Sequence, residues 1–535
     1  MIKKFINRES ASITSAAFII GVMTLAAKFL GVLKNSILAK NFPTNDIDIY
    51  LAAFRIPDFI FNIIVLGALS AGFIPVFAKL ISHDKKEEAF KAANNILNIL
   101  FVVLLGVTIA SVILAPWIID LIVPGFDPEK KQKTVELTRI MFLSPIFMLL
   151  SSITGGILQS YKRFLVYSLS PIVYNLGIIF GAEVLAKEYG LAGLAWGVPL
   201  GAFLQFAIQF PSVKMLGFKY KMFVDTKSEE VRTIIKIMIP RIFTMIISQI
   251  NPFVVTIIAS TLAAGSITAF TYANDLQSFP LGIFAISFAV ACFPTLSELS
   301  DKHHREKFTE VLLSTTKQIL YFIIPLSIFL IVFRAQAVRV IYGHGYFDWA
   351  STVATIDALY IFCISLFAQS LIPLFSRAFW ALHDSKTPFY ATLFGAIVNI
   401  ALALWLSPKF GLNGLVGAFT LSSIINATIL FILLNQKYLS KVPKNFYIAI
   451  GQISFSAIIA GSIGYKTLYA VEPYLDTHTF FGIGIQGALS GTAMLVIYFA
   501  WGWIFKIDEF IKFKNSFRKK VFKTKLKTTE IIVEE

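Results

Sequence analysis

The sequence predicts an all-α polytopic membrane protein that crosses the bilayer about fourteen times. Composition is the first observation behind this. Hydrophobic residues make up 56% of the 535 and charged ones only 15%, with a mean hydropathy of +0.74. A soluble domain of this size carries far more charge. The second observation is patterning, in which runs of ~20 mostly apolar residues alternate with short polar loops. The third is an internal repeat. GLAGLAWG at 190–197 returns as GLNGLVG at 411–417, and GFIPVFAKL at 72–80 is echoed by CFPTLSEL at 292–299. Two echoes near one offset of about 220 residues relate the first six spans to the next six. Six is even, so the halves share one topology about an axis along the membrane normal.

Taken in order, the spans fall at roughly 12–39, 49–78, 93–119, 139–160, 166–185, 191–211, 231–262, 269–297, 317–333, 355–376, 389–407, 412–434, 446–469 and 480–505. The first is longer than a signal-peptide core and shows no clear cleavage site, so it is expected to stay as a helix. Prolines 57, 171, 199, 240, 252, 280, 325 and 373 lie inside spans, where they mark bends beside cavities. The expected domains are an N-terminal lobe at 1–211, a C-terminal lobe at 212–440, an extra helix pair at 441–505 and a basic tail at 506–535. The tail carries nine basic residues before Thr528, with Phe510, Phe513, Phe517 and Val521 as its apolar edge. It reads as an amphipathic helix on an anionic leaflet, with a disordered end beyond Lys527.

Orientation follows from Lys and Arg. With the N-terminus inside, the inner segments hold 32 of the 47 basic residues and the outer loops 10. That asymmetry places both termini in the cytoplasm. It also accounts for the net charge of +16 without nucleic acid.

The first two spans carry charge where charge is costly. Lys28, Lys34, Asp48, Arg55 and Asp58 stand among apolar residues, each at a cost of at least ~2.5 kcal/mol if left in hydrocarbon. At the helical period, Thr24, Lys28, Gly31, Lys34 and Asn35 share an arc of roughly 120°. Asp48, Arg55, Asp58 and Asn62 share one of about 80° in the second span, where Pro57 distorts the phase. Two polar stripes with excess positive charge are expected to face a wet cavity and hold an anion. The competing reading is that the cations pair with Asp48 and Asp58, or snorkel to the interfaces. Asp48 is expected to hold one cation in place.

Catalytic chemistry is absent from the pattern. The chain has no paired-aspartate diphosphate motif, no H-E-x-x-H, no Walker loop and no G-x-S-x-G. Cys292 and Cys363 lie in separate apolar spans, away from any metal-ligand spacing, and His303 and His304 read as solvated. Asn175, Gln205, Gln209, Ser248, Gln249, Asn251, Gln277 and Asn399 read as interhelical hydrogen-bonding groups. Arg241 sits near the cytoplasmic end of its span, where it can snorkel, and Asp275 is a lone carboxylate in the eighth span. No cofactor or metal is expected. With no domain to bind ATP, transport would draw on the membrane potential, a monovalent cation gradient or the substrate's own gradient.

At these residues the chain resembles the MurJ (MviN) lipid II flippases of the MOP exporter superfamily. The resemblance rests on AAKFLGVLKN at 26–35, the aspartate and FRIP at 48–57 and GFIPVFAKL at 72–80. It continues in SPIVYNLGIIFG at 170–181, GLAGLAWGVPLGAFLQ at 190–205, YANDLQSFPLGIFAISFAVACFPTLSEL at 272–299 and RAFWALHDSKTPF at 377–389. It implies two six-helix lobes around a central cavity and two extra helices forming a groove for a lipid tail. It also implies alternating access that moves undecaprenyl-diphosphate-linked peptidoglycan precursor from the inner to the outer leaflet of a bacterial cytoplasmic membrane, by a monomer. Lys28 and Lys34 match first-span positions that are commonly arginine in the family, and Asp48 matches a second-span aspartate. Two family arginines fall at Asn62 and Asp275 here, and Arg55 stands on the same stripe as Asn62. Lys28, Lys34, Arg55 and Asn62 are thus the expected substrate-binding set, with Asp48, Asp58, Arg241 and Asp275 as further polar cavity residues. The alternatives are an exporter of another lipid-linked oligosaccharide and a drug or cation antiporter on the same scaffold. The second would favour acids over Lys28 and Lys34. A membrane-bound glycosyl- or prenyltransferase lacks its metal-binding acids here, and a non-transporting scaffold would not need charged spans.

Overall fold

The computed structural model describes residues 13–66, 72–225, 227–477, 479–505, 509–511 and 514. Most of the tail reading, Phe513, Phe517 and Val521 included, falls outside these residues. Helices dominate the described chain. The first half supplies α1 (Ile13–Asn41), α2 (Thr44–Ile60), α3 (Ile74–Ser82), α4 (Lys86–Ile122), α5 (Pro128–Met141), α6 (Ser144–Ser160), α7 (Phe164–Phe180), α8 (Ala186–Met215) and α9 (Glu229–Ser260). The second supplies α10 (Ser266–Pro280), α11 (Ser287–Glu298), α12 (Arg305–Val332), α13 (Arg334–Ile341), α14 (Trp349–Ile364), α15 (Leu366–Ala381), α16 (Lys386–Lys437), α17 (Lys444–Val471) and α18 (Phe480–Ile504).

Among the described residues, nine helices are long and apolar enough to cross a membrane, or ten if the bent pair α14–α15 counts as one span. Two of the nine, Phe164–Met215 and Lys386–Lys437, run 52 residues each. Each is broken by a glycine with positive φ, Gly190 (φ 56, ψ −136) and Gly411 (φ 57, ψ −136). These breaks fall where the sequence separates its fifth from its sixth span and its eleventh from its twelfth. The second expected span is interrupted by residues outside the description, and the seventh lies in α9, within which Gln249–Ser260 is a shorter apolar stretch.

The repeat is written into the backbone. Gly190 and Gly411 share one conformation. Lys162 (φ 56) and His383 (φ 59) are likewise positive-φ residues in corresponding turns. A six-residue π-helical segment at Phe61–Leu66 recurs at Leu281–Ile286. Such segments widen a helix locally and concentrate at functional places.

By internal contacts the chain forms two compact units. One comprises Met1–Leu276, Ile341–Ala358 and Ile400–Ala418. Within it α7 packs on α8 through glycines, where a Cβ at Gly177 would strike the backbone of Gly201. Close approach of this kind is how helices gain packing energy in lipid, where no hydrophobic drive holds them together. Polar glue supplements it. Gln209 accepts from Thr154 Oγ1 at 2.6 Å and donates to Ser151 and Ser170, while Gln205 donates to Ser151 at 2.8 Å. The interhelical reading of these amides holds.

The same unit contains a feature with no local sequence signal. Asn94, Asn95 and Asn98 line one face of α4 and bind the backbone of the extended segment 217–225. Asn94 exchanges bonds with Lys219 O and Lys221 N at 3.0 and 2.9 Å. Asn95 exchanges bonds with Asp225 O and N at 2.6 and 2.8 Å. Asn98 Nδ2 donates to Lys221 O and Phe223 O at 2.9 and 2.8 Å. Each amide offers a donor and an acceptor in one plane, so it pairs with an extended chain as a neighbouring strand would.

The second unit comprises Gln277–Val340, Leu359–Asn399 and Phe419–Glu535. One of its cores joins α11, α12, α15 and the end of α16 through Phe308, Leu312, Phe375 and Leu430. A second joins α12, α17 and α18 through Tyr321, Ile453, Ala457, Met494 and Tyr498, with Phe510 packed against it. Lys317 on α12 meets the buried Glu509 carboxylate at 3.1 Å.

Candidate functional site: a recessed cationic cluster

α1 and α2 carry the two polar stripes into the structure. Lys28, Lys34, Arg55, Asp58, Asn62 and Asp275 are all half-buried. Protein closely surrounds Lys34, Arg55 and Asp275, although part of each side chain stays accessible. This combination describes a recess. Residues packed in a core would lose all accessible area, and residues facing lipid would lack the surrounding protein.

Asp275 lies at the centre of the cluster. Its carboxylate is in electrostatic range of Lys34, Arg55 and Lys28 together, and Asn35 Nδ2 donates to its Oδ2 at 2.7 Å. Tyr272, one turn earlier, donates from its hydroxyl to Asn35 O at 3.0 Å and stacks on Tyr342 with ring centroids 4.4 Å apart. α1 is tied to the last residue of α13 by Ser36 Oγ, which donates to Ile341 O at 2.5 Å. These contacts fix the rotation of α1 about its axis, and hence the direction of its stripe.

Arg55 is held from the side. Its Nε donates to Thr256 Oγ1 of α9 at 2.9 Å, leaving the terminal guanidinium nitrogens for another partner. Asp58 is its nearest acid in electrostatic terms. Asn62 Nδ2 donates back to Asp58 O at 2.8 Å. Among the described residues, no carboxylate comes within 4.0 Å of the Lys28, Lys34 or Arg55 cationic nitrogens. The cations lie near acids but are not neutralised by tight pairs, which goes against the simple ion-pairing reading.

Asp48 corrects an expectation. It does not hold a cation. The side chain is buried, and both oxygens are taken by the start of α10. Gly265 N donates to Oδ2 at 2.7 Å, while Thr268 N and Oγ1 donate to Oδ1 at 2.8 and 2.6 Å. A carboxylate at a helix N-terminus satisfies free amides and meets the positive end of the helix dipole. Its helical phase with Arg55 and Asp58 is therefore incidental, since the partners lie more than two hundred residues away in sequence. The Arg241 side chain lies outside the described residues. Asn35 and Thr256 are additions to the expected set. Asn35 stood on the α1 stripe, but nothing in the sequence distinguished it from a packing amide.

Among the described residues, no group of three or more His, Cys, Asp or Glu is arranged to hold a metal ion, and Cys292 and Cys363 are free thiols. What the recess can do is bind an anion through fixed positive charges and polar donors.

Known proteins identify the family. A family profile described as "Lipid II flippase MurJ" matches residues 41–486. A protein named "Probable lipid II flippase MurJ" from Rhizobium tropici is 28% identical over 449 residues, covering 82% of this chain and 81% of its own length. One of the same name from Bdellovibrio bacteriovorus is 26% identical over 520 residues, covering 96% and 98%. The solved structure "Lipid II flippase MurJ, inward closed conformation" matches with a TM-score of 0.76 at 26% identity, covering 92% of this chain and 99% of that one. An inward-facing multidrug MATE transporter of the MOP superfamily shares the fold, with a TM-score of 0.64 at 16% identity. The profile covers most of the chain, the two relatives cover 82% and 96% of it, and the fold is that of alternating-access transporters. This multi-pass membrane protein is a transporter rather than an enzyme, and it belongs to the lipid II flippase MurJ family.

Proposed function

We propose that the recess of α1 and α2 receives the diphosphate of an undecaprenyl-linked peptidoglycan precursor and carries it from the inner to the outer leaflet of the bacterial cytoplasmic membrane. The observation behind this reading is the convergence of Lys28, Lys34 and Arg55 in one recess, with no tight ion pair among the described residues. Lysine suits a diphosphate as a compact point charge. Arg55 spends only Nε on Thr256, so its terminal nitrogens are left to make a forked contact. In this reading both termini are cytoplasmic, as the distribution of Lys and Arg requires. The chain acts as a monomer, and its basic tail lies on anionic lipid. No cofactor takes part, and the driving force is the membrane potential or a monovalent cation gradient.

Depleting the protein in its host and measuring which leaflet holds the lipid-linked precursor tests the proposal. Accumulation in the inner leaflet, reversed by re-expression, is the expected result. An unchanged leaflet distribution would refute it.

A further inference from the structure

Asp275 is hard to reconcile with a site that only binds anions, because a carboxylate amid three cations repels the ligand they attract. Its surroundings suggest a use. From α1, Lys28 and Lys34 lie within its electrostatic range, and Asn35 donates to Oδ2 at 2.7 Å. From α2, Arg55 lies within its electrostatic range and interacts with Asp58 as well. Among the described residues, the tyrosine hydroxyls of Tyr272 and Tyr342 are further titratable groups near it. With Asp58 and Asp275 both ionised, the formal charge of the cluster is +1. Without Asp275 it would be +2 in a recess surrounded by protein, where unneutralised charge is costly.

An alternating-access carrier must also reorient empty. In that state nothing from outside neutralises the recess. The Asn35 contact holds the carboxylate in place, and among the described residues no cation approaches within 4.0 Å to lock it there. We propose that Asp275 is a built-in counter-anion: it lowers the charge of the empty cation cluster from +2 to +1 for the return step and is neutralised by a proton when a lipid diphosphate takes its place. The proposal rests on the anion-site reading above and adds a specificity-determining residue to it. A doubly charged diester entering the cluster brings the sum to −1, and one proton on Asp275 restores neutrality. Diphosphate binding then takes up about one proton.

The test uses the full chain in lipid nanodiscs, with a farnesyl-diphospho-N-acetylglucosamine probe, a diester whose phosphates stay ionised through the range used. Wild-type affinity should rise as pH falls from about 8 to about 6, with proton uptake visible as buffer-dependent binding heat. Asp275→Asn should bind roughly tenfold more tightly at the upper pH and lose the pH dependence. Asp275→Glu, which keeps the charge, should behave like wild type. In a translocation assay Asp275→Asn should turn over more slowly than wild type, because its empty recess is harder to return. If Lys34→Ala binds the probe as well as wild type, the anion site itself is refuted and this proposal with it. If Lys34→Ala weakens binding but Asp275→Asn is unchanged or weaker, only the counter-anion is refuted. Should Asp275→Asn fail to fold, the wild-type profile decides, and affinity that does not rise on acidification overturns the proposal.

Discussion

Asp48 spends both carboxylate oxygens on the first amides of α10, and Asp275 spends one on Asn35 while facing three cations. Sequence alone places both acids in apolar helices and cannot tell these roles apart. The difference lies in partners brought together by folding over more than two hundred residues. Replacing Asp48 by Asn turns one acceptor oxygen into an amide that faces the Gly265 N–H. That should lower the stability of the full chain by about 1–3 kcal/mol, the cost of an unsatisfied buried donor. Thermal unfolding of the detergent-solubilised protein measures it, and an unchanged midpoint would show the cap to be dispensable. The stripe of Lys28, Lys34 and Arg55 was legible because period and charge are local properties. The contributions of Asn35 and Thr256 were not, because an amide or hydroxyl in a membrane helix is most often packing glue.

The elements carry the repeat. Gly190 and Gly411 hold the same conformation, one that residues with a Cβ rarely adopt, and open space surrounds the Cβ position at each. An alanine there would meet no clash and would suffer only from its backbone angles. Gly411→Ala should therefore cost about 1–3 kcal/mol in stability and lower the folded yield. Gly417→Ala, equally uncrowded but in regular helix, should be neutral or slightly stabilising. Equal effects from the two would contradict the strain account. The paired GLAG and GLNG motifs made this break readable, since glycine marks places where a helix cannot continue. The asparagine ladder of α4 was unreadable for the opposite reason. Its partner is main chain some 125 residues away, and any sequence offers a main chain. Asn95→Ala removes both bonds to Asp225. It should raise amide exchange across residues 217–225 by tenfold or more, the effect of about 1.4 kcal/mol, while exchange in α7 stays as it was.

At the scale of the whole molecule, the excess of Lys and Arg on one side predicts orientation. Single cysteines near Asp127 and Asp476 should react with a membrane-impermeant thiol reagent in intact cells, and cysteines near Lys85 and Lys219 should react only after permeabilisation. The reverse pattern would invert the topology and the direction of transport. Family, fold and the class of activity all followed from segments of ordinary sequence. What the cluster does with its charge depends on how that charge is balanced, which turns on partners far apart in sequence. The most direct measurement takes Lys28→Ala, Lys34→Ala and Lys28→Arg, and records membrane-inserted folded protein and precursor translocation for each in parallel. The account predicts near-normal folded protein in all three, translocation lost in both alanine variants and kept in Lys28→Arg. Alanine variants that are fully folded and translocate at the wild-type rate would contradict it.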